Sequence, residues 1–233
     1  MDTDRAASVE NSLEPTPTTR IAVVIPAFNE SATVGKVVLE VLRRVNEVIV
    51  VDDASSDMTG EAAERAGAIV IRHSVNRGYD ASLNDGFAAA AARGADVIVT
   101  FDADGEHRSE DIPAVVEPIV ANKVDIVITQ RSHLVHISEK LFAAYTRLRF
   151  GIRDPLCGFK AYHRRVYDRF GSFDTLNSIG TELALRAIKA GFRVRLIPIA
   201  RRARLDTSRF YARLLRANIR IFNAMMRVVI WVR

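Results

Sequence analysis

The sequence predicts an α/β fold built on a mainly parallel sheet. Two observations predict it. Short β-branched runs alternate with segments of helical period along most of the chain. The composition is 48% hydrophobic with only 7% aromatic residues, rich in alanine and valine, which suits stacked βαβ units. The first expected strand is Ile21–Ile25, stopped by Pro26. Ser31 is the expected N-cap of a helix running to about Arg44. Glu47–Val51 reads as the second strand and opens into the acidic loop Asp52-Asp53-Ala54-Ser55-Ser56-Asp57. A helix over Thr59–Ala66 closes at Gly67, and Ala68–Arg72 forms the third strand. The alanine-rich Ala81–Arg93 predicts a helix closed by Gly94. Asp96–Phe101 is the fourth strand, with Asp102-Ala103-Asp104-Gly105 at its end. A helix over Asp111–Asn122 and a strand over Val124–Thr129 follow. Beyond them come a helix at Ile137–Arg149, a turn-rich loop from Arg153 to Phe159, a helix at Thr181–Ala190 ended by Gly191, and a strand at Arg193–Ile199.

Charge and cysteine usage narrow the function classes. The chain carries +5 overall, but nine arginines against one acid between Arg201 and Arg233 give that tail +8, so residues 1–200 are net negative by three. Nucleic-acid binding is disfavoured by that distribution, and a single basic surface is predicted instead. The lone cysteine, Cys157, excludes an internal disulfide, predicts a reducing, cytoplasmic setting, and reads as a small buried apolar residue. Residues 1–19 are polar with no apolar stretch, and are expected to be a disordered leader. No run reaches the roughly 20 apolar residues a spanning helix needs.

In a parallel sheet, ligands sit beyond the carboxyl ends of the strands. The acidic pairs Asp52/Asp53 and Asp102/Asp104 fall there. The dinucleotide glycine fingerprint and the Gly-Lys-Ser/Thr phosphate loop are both absent. Two carboxylates separated by one small residue repel unless a cation lies between them, and Mg²⁺ or Mn²⁺ takes such oxygen ligands while bridging to a diphosphate. Asp-x-Asp by itself is equally common as a solvated loop, so its position carries the argument. Asp52, Asp53 and Asp57 can each also cap the following helix.

The motifs IPAFNE (Ile25–Glu30), VDDASSDMT (Val51–Thr59), NRG (Asn76–Gly78), FDADGEH (Phe101–His107) and DPLCGFK (Asp154–Lys160) together resemble family-2 glycosyltransferases over roughly residues 20–210. Within that family the chain is most similar to the dolichol-phosphate mannose synthase-like enzymes, which attach sugars to polyprenyl phosphates. The resemblance implies a glycosyltransferase-A type nucleotide-sugar-binding fold over residues 20–207. It implies that Pro26, Phe28 and Glu30 line the nucleotide pocket, that Asp52 or Asp53 contacts base or ribose, and that Asp102, Ala103 and Asp104 hold metal and diphosphate, with Asp102 and Asp104 as metal ligands. Glu106 stands where the subgroup has Gln, Phe28 where it often has Tyr, and Asp80 where it has Gly. Arg131 is implied at the donor phosphate. Arg204 and Arg209 are implied as a phosphate clamp that is one residue short and lacks its Gly. Asp104 is taken as catalytic, and Asp154, with Glu182 behind it, would serve as base if the acceptor is a hydroxyl. A phosphate acceptor is already ionised and needs none. The implied reaction is inverting transfer from a UDP- or GDP-sugar to a polyprenyl phosphate. Transfer to a hydroxyl acceptor and non-catalytic nucleotide-sugar binding stay open.

Residues 208–233 are expected to form a basic amphipathic helix. Arg209, Arg213, Arg216, Arg220 and Arg227 share one face, and Phe210, Leu214, Ile221, Met225 and Val232 point away. Such a helix fits either peripheral contact with the inner face of the cytoplasmic membrane or packing on the domain.

Overall fold

A computed structural model describes residues 19–131, 134, 136–200, 202 and 214–232. The expected leader therefore lies outside the described residues, Thr19 excepted. Among the described residues seven strands form one sheet in the order β3-β2-β1-β4-β6-β5-β7. They are β1 (Ile21–Ala27), β2 (Glu47–Asp52), β3 (Ile69–Arg72), β4 (Val97–Thr100), β5 (Ile126–Arg131), β6 (Lys160–His163) and β7 (Val194–Ile199). The β1–β4 pairings are parallel, as is β5 with β7, whereas β6 runs antiparallel between β4 and β5.

The strand alternation sorts the helices into two layers. Val23 and Ile25 of β1 face α1 (Val34–Leu42), α2 (Thr59–Arg65) and α4 (Ile112–Val120) in one apolar cluster. Ala22 and Val24 face the other way, into a cluster with α3 (Tyr79–Ala92), α5 (Ile137–Phe150), α6 (Arg164–Phe170), α7 (Glu182–Lys189) and α8 (Leu214–Val232). With both faces covered, the central strands read as continuous apolar runs rather than alternating ones. Gly86 lets α3 lie close on the sheet, since a methyl group there would run into the Val24 side chain.

Most expected elements appear with ends shifted by one to three residues. Three departures have physical causes. Ser31 does not cap α1: the N-cap is Thr33, and the Ser31 hydroxyl instead donates to Asp57 at 2.8 Å. The short strand β6 and helix α6 escaped the sequence reading. β6 is only KAYH, bounded by polar residues, and its burial comes from being inserted between β4 and β5. On α8, Ile221, Ala224 and Val228 are buried against the domain, while Ile219, Phe222, Met226 and Ile230 are exposed. An unpredicted apolar stripe thus faces outward. No helix among the described residues is long and apolar enough to cross a membrane.

Candidate active site

The strand order reverses around β1, which has β2 on one side and β4 on the other. Crevices at such points lie beyond the strand carboxyl ends. Ala27 is in register with Asp52, and Phe101 donates its amide to Val24, so the loops after β1, β2 and β4 open on the same side. Phe28 is exposed at the mouth, Pro26 is the penultimate residue of β1, and Glu30 donates its amide to Thr59 Oγ1 at 2.8 Å. Asn29, at φ 55°, ties this loop to the next by accepting the Ser56 amide at 2.7 Å.

The two acids after β2 have different tasks. Asp52 accepts the Ser55 amide at 3.0 Å. Its other oxygen lies where a side chain at Gly60 would intrude. Asp53 accepts the Arg77 and Gly78 amides, both at 2.7 Å, and meets His73 Nδ1 at 2.7 Å. Burial pushes its carboxyl up, but these donors outweigh it and hold it below the usual range. The Asp53 carboxylate is thereby committed to the Asn76–Gly78 loop rather than presented outward. Asp57 accepts the Thr59 amide at 3.1 Å in the first turn of α2.

Asp102 and Asp104 lie just past β4, half-buried, with Ala103 between them buried. Asp102 Oδ2 accepts from His107 Nε2 at 2.9 Å, and Oδ1 accepts from Tyr79 Oη at 3.3 Å. His107 Nδ1 is buried without a hydrogen-bond partner, so the proton belongs on Nε2. Phe101 and Phe159 flank the ring. Burial, then the Asp102 charge, keeps the Tyr79 phenol protonated and able to donate. Asp104 Oδ1 accepts the amide of Glu106 at 3.0 Å, and Glu106 is largely buried.

The loop before β6 closes on this turn. A methyl group at Gly158 would overlap the Asp102 carboxylate, and Thr100 Oγ1 donates to the Gly158 carbonyl at 2.6 Å. Only glycine lets these two loops meet. Beside it, Cys157 is buried, with its thiol pushed up to about 11 by burial and then by Asp154, which disqualifies it as a nucleophile. Lys160 is also buried and donates to the Gly180 carbonyl at 3.0 Å.

Two residues that the sequence offered as bases are otherwise engaged. Asp154 is buried, and Arg131 grips both its oxygens, Nε to Oδ2 at 2.6 Å and Nη2 to Oδ1 at 2.7 Å, with the Arg131 amide adding a third bond. Burial opposes the Arg131 charge, but the Asp154 bonds overcome it and keep the guanidinium protonated. Glu182, buried too, accepts the Thr175 and Leu176 amides, the Thr175 hydroxyl and Arg186. A base needs a lone pair facing the acceptor, and both carboxylates spend theirs on holding structure. Arg204 and Arg209 lie outside the described residues. The amide of Arg202 donates to the Glu106 carbonyl at 2.9 Å, which brings Arg202 beside the Asp102–Glu106 turn.

The sequence reading missed Tyr79 and His107 as the partners that fix Asp102. Nothing in their spacing signalled it, because one comes from α3 and the other from the turn after β4.

Comparison with known proteins decides the lineage. The glycosyl transferase family 2 profile matches residues 22–171, more than half of the chain. The chain belongs to glycosyl transferase family 2. It is similar to polyprenol monophosphomannose synthase of Mycolicibacterium smegmatis, with 30% identity covering 92% of this chain and 88% of that protein. It is also 30% identical to undecaprenyl-phosphate mannosyltransferase of Micrococcus luteus, over 77% of this chain and 82% of that protein. An uncharacterised protein of Methanocaldococcus jannaschii is 39% identical over 48% of this chain; the chain spans less than half of that relative, 46%. Among solved structures, glucosyl-3-phosphoglycerate synthase of Mycobacterium tuberculosis superposes with a TM-score of 0.67 at 21% identity, covering 90% of this chain and 80% of that one. This glycosyltransferase fold is the expected one, and the dolichol-phosphate mannose synthase-like resemblance holds among the family's members.

Proposed function

We propose that this family-2 glycosyltransferase moves a sugar from a UDP- or GDP-sugar to a polyprenyl phosphate, inverting the anomeric centre. The observation that carries the reading is the meeting of Asp102 with Gly158. It sets the Asp102–Asp104 turn against the Asp154–Phe159 loop, which supports reading the two as the donor and acceptor sides of one crevice. Relatives that span most of the chain are named for transfer to polyprenyl phosphates.

A divalent ion suits this turn. Asp102 and Asp104 offer hard oxygen donors on one short, half-buried loop. Among the described residues no group of three or more His, Cys, Asp or Glu gathers into a metal cluster. Asp102 and Asp104 are the residues that would hold such an ion. A solved structure of the same fold, glucosyl-3-phosphoglycerate synthase of M. tuberculosis, holds Mn²⁺ and UDP, which supports the same donor chemistry here. When bound, Mg²⁺ or Mn²⁺ supplies charge neutralisation for the departing nucleoside diphosphate.

The chain's own residues do the rest. Tyr79 and His107 aim Asp102, and the Glu106 amide aims Asp104. Phe28, Pro26, Glu30 and Asp52 form the mouth that would receive the nucleotide. Asp53 shapes it through the Asn76–Gly78 loop. Arg131, gripped by Asp154, braces the acceptor loop against the end of β5. An acceptor phosphate is ionised at neutral pH, so no base is required. A hydroxyl acceptor would need one, and the engagement of Asp154 and Glu182 disfavours it. Peripheral contact of α8 with the membrane would bring the lipid acceptor to this crevice.

The test is nucleoside diphosphate release from a panel of UDP- and GDP-sugars with Mg²⁺ or Mn²⁺, with and without polyprenyl phosphate in detergent. Release that needs the metal, rises with the lipid and is lost in Asp104→Ala is the expected result. Release stimulated by a sugar or glycan hydroxyl but not by the lipid would overturn the acceptor assignment.

A further inference from the structure

A cavity of about 220 Å³ opens between the first turn of α3 and the flank of α8. Arg77, Tyr79, Asp80, Asn177, Arg220 and Arg227 line it. Asp80, where the subgroup has Gly, meets Arg220 and Arg227 of the arginine-striped tail here.

The cationic groups arrive from separate elements and are not equally occupied. Arg77 is paired with Asp85 at 2.5 Å. Arg227 donates to the carbonyls of Leu176 and Asn177, each at 3.3 Å, which braces α8 against the loop before α7. Arg220 donates no hydrogen bond among the described residues and feels Asp80 only through space. Asp80 turns its own oxygens toward the amides of Gly180, at 2.7 Å, and Ile179, at 3.2 Å. Its charge is thus drawn to the backbone on one wall, and Arg220 is left with donors to spend on the other.

The helix itself supplies the second observation. Ile219, Phe222, Met226 and Ile230 are spaced three, four and four apart and are exposed. At about 100° per residue they form one outward stripe, and Arg220 and Arg227 sit on the flank between that stripe and the buried face of Ile221, Ala224 and Val228. A guanidinium-lined cavity with an apolar track running from its rim matches a molecule that has an anionic head and a hydrocarbon chain. Tyr79 forms the wall toward the donor side, and its hydroxyl reaches Asp102.

We infer that this cavity seats the phosphate of an amphiphilic phosphomonoester, with Arg220 as its principal ligand and the α8 stripe carrying the start of the hydrocarbon chain. The inference rests on the proposed polyprenyl-phosphate acceptor and assigns where that acceptor's phosphate is first received. Guanidinium–phosphate pairing is charge-assisted and bidentate, so loss of one arginine weakens binding on the order of tenfold or more.

The test titrates farnesyl phosphate in detergent into the full chain, read by the fluorescence of its single tryptophan, Trp231 at the end of α8. Inorganic phosphate and farnesol serve as head-only and tail-only probes. Farnesyl phosphate is expected to bind, with inorganic phosphate competing only at concentrations on the order of a hundredfold higher. Arg220→Ala should weaken farnesyl phosphate about tenfold, Arg220→Glu should weaken it further, and Arg220→Lys should recover part of the loss, each with nucleotide-sugar binding unchanged. The same variants should raise KM for the lipid more than they lower kcat. Equal affinity for farnesyl phosphate in the parent and Arg220→Ala would overturn the site. Equal affinity for inorganic phosphate and farnesyl phosphate would overturn its assignment to an amphiphile. If the parent binds farnesyl phosphate through Arg220 yet shows no lipid-stimulated turnover, the proposed reaction falls and the site stands. If turnover is lipid-dependent and indifferent to Arg220, the reverse holds.

Discussion

The two ends of the sheet's strands treat their acids in opposite ways. At the amino ends, each acid is met by donors where it stands. Asp96 takes the Arg20 amide, and Asp125 lies between Arg165 and Arg193, which hold its carboxyl down at about 2 against the pull of burial. At the carboxyl ends, acids are gathered rather than dispersed. Asp102 and Asp104 share one turn, and Asp80 lies near Asp174, where burial and then that neighbouring charge push it up to about 6. A protein selected for stability alone would spread these charges or pair them. Concentrated, imperfectly neutralised carboxylate is tolerated at the end where cations and phosphates are handled.

The comparison can be broken most severely at Gly158. Gly158→Ala forces Asp102 away from its partners, and nucleoside diphosphate release is expected to fall more than about a hundredfold while the fold persists, checked by circular dichroism. Next comes the buried pair at the crevice. Asp154→Ala leaves the Arg131 guanidinium buried and unpaired, and urea unfolding should show a loss of about 3–5 kcal/mol. The double change Arg131→Met with Asp154→Leu should recover much of that stability and none of the activity.

At the amino ends, Asp125→Asn removes a depressed carboxylate. The group contributes stability above its ordinary value of 3.8 that is lost as pH falls toward 2, so the variant should flatten the acid limb of a stability–pH curve. Asp80 has the opposite sign. Its folded-state value is raised, the folded chain binds the extra proton, and stability should decline as pH rises from 3.8 to about 6. Burial is the largest cause, and Asp174 and Arg220 face the group with opposing charges. Thermal melts of Asp80→Asn across that range should show the decline reduced. A parent whose stability rises over the same interval, with Asp80→Asn following it, would contradict the assignment.

How much of this was legible in the sequence depended on whether the signal was local. The strands β1, β2 and β4 announce themselves through unbroken valine and isoleucine runs, because both of their faces are buried. The Asp102–Asp104 turn is legible for the same reason, since the end of such a run fixes where a ligand crevice lies. β6 is not legible, because Lys160–His163 becomes a strand only through neighbours that precede it in the chain by more than thirty residues. The grip of Arg131 on Asp154 was equally hidden. Both residues were marked for the site, but only the fold shows that they satisfy one another. The outward stripe of α8 was missed because a helical wheel with arginines on one side leaves two apolar flanks, and which of them is buried depends on the surface it meets.

One edge of the sheet has a consequence for handling the protein. Among the described residues β7 is the outermost strand, in parallel register with β5, and places Pro198 opposite Gln130. Proline offers no amide to an incoming chain, and Arg195 on the same strand adds a charge that a second copy would have to confront. The opposite margin, β3, is only four residues long and ends in Arg72. Together they blunt strand-to-strand polymerisation, so Pro198→Thr is the single change expected to make concentrated preparations form fibrils first.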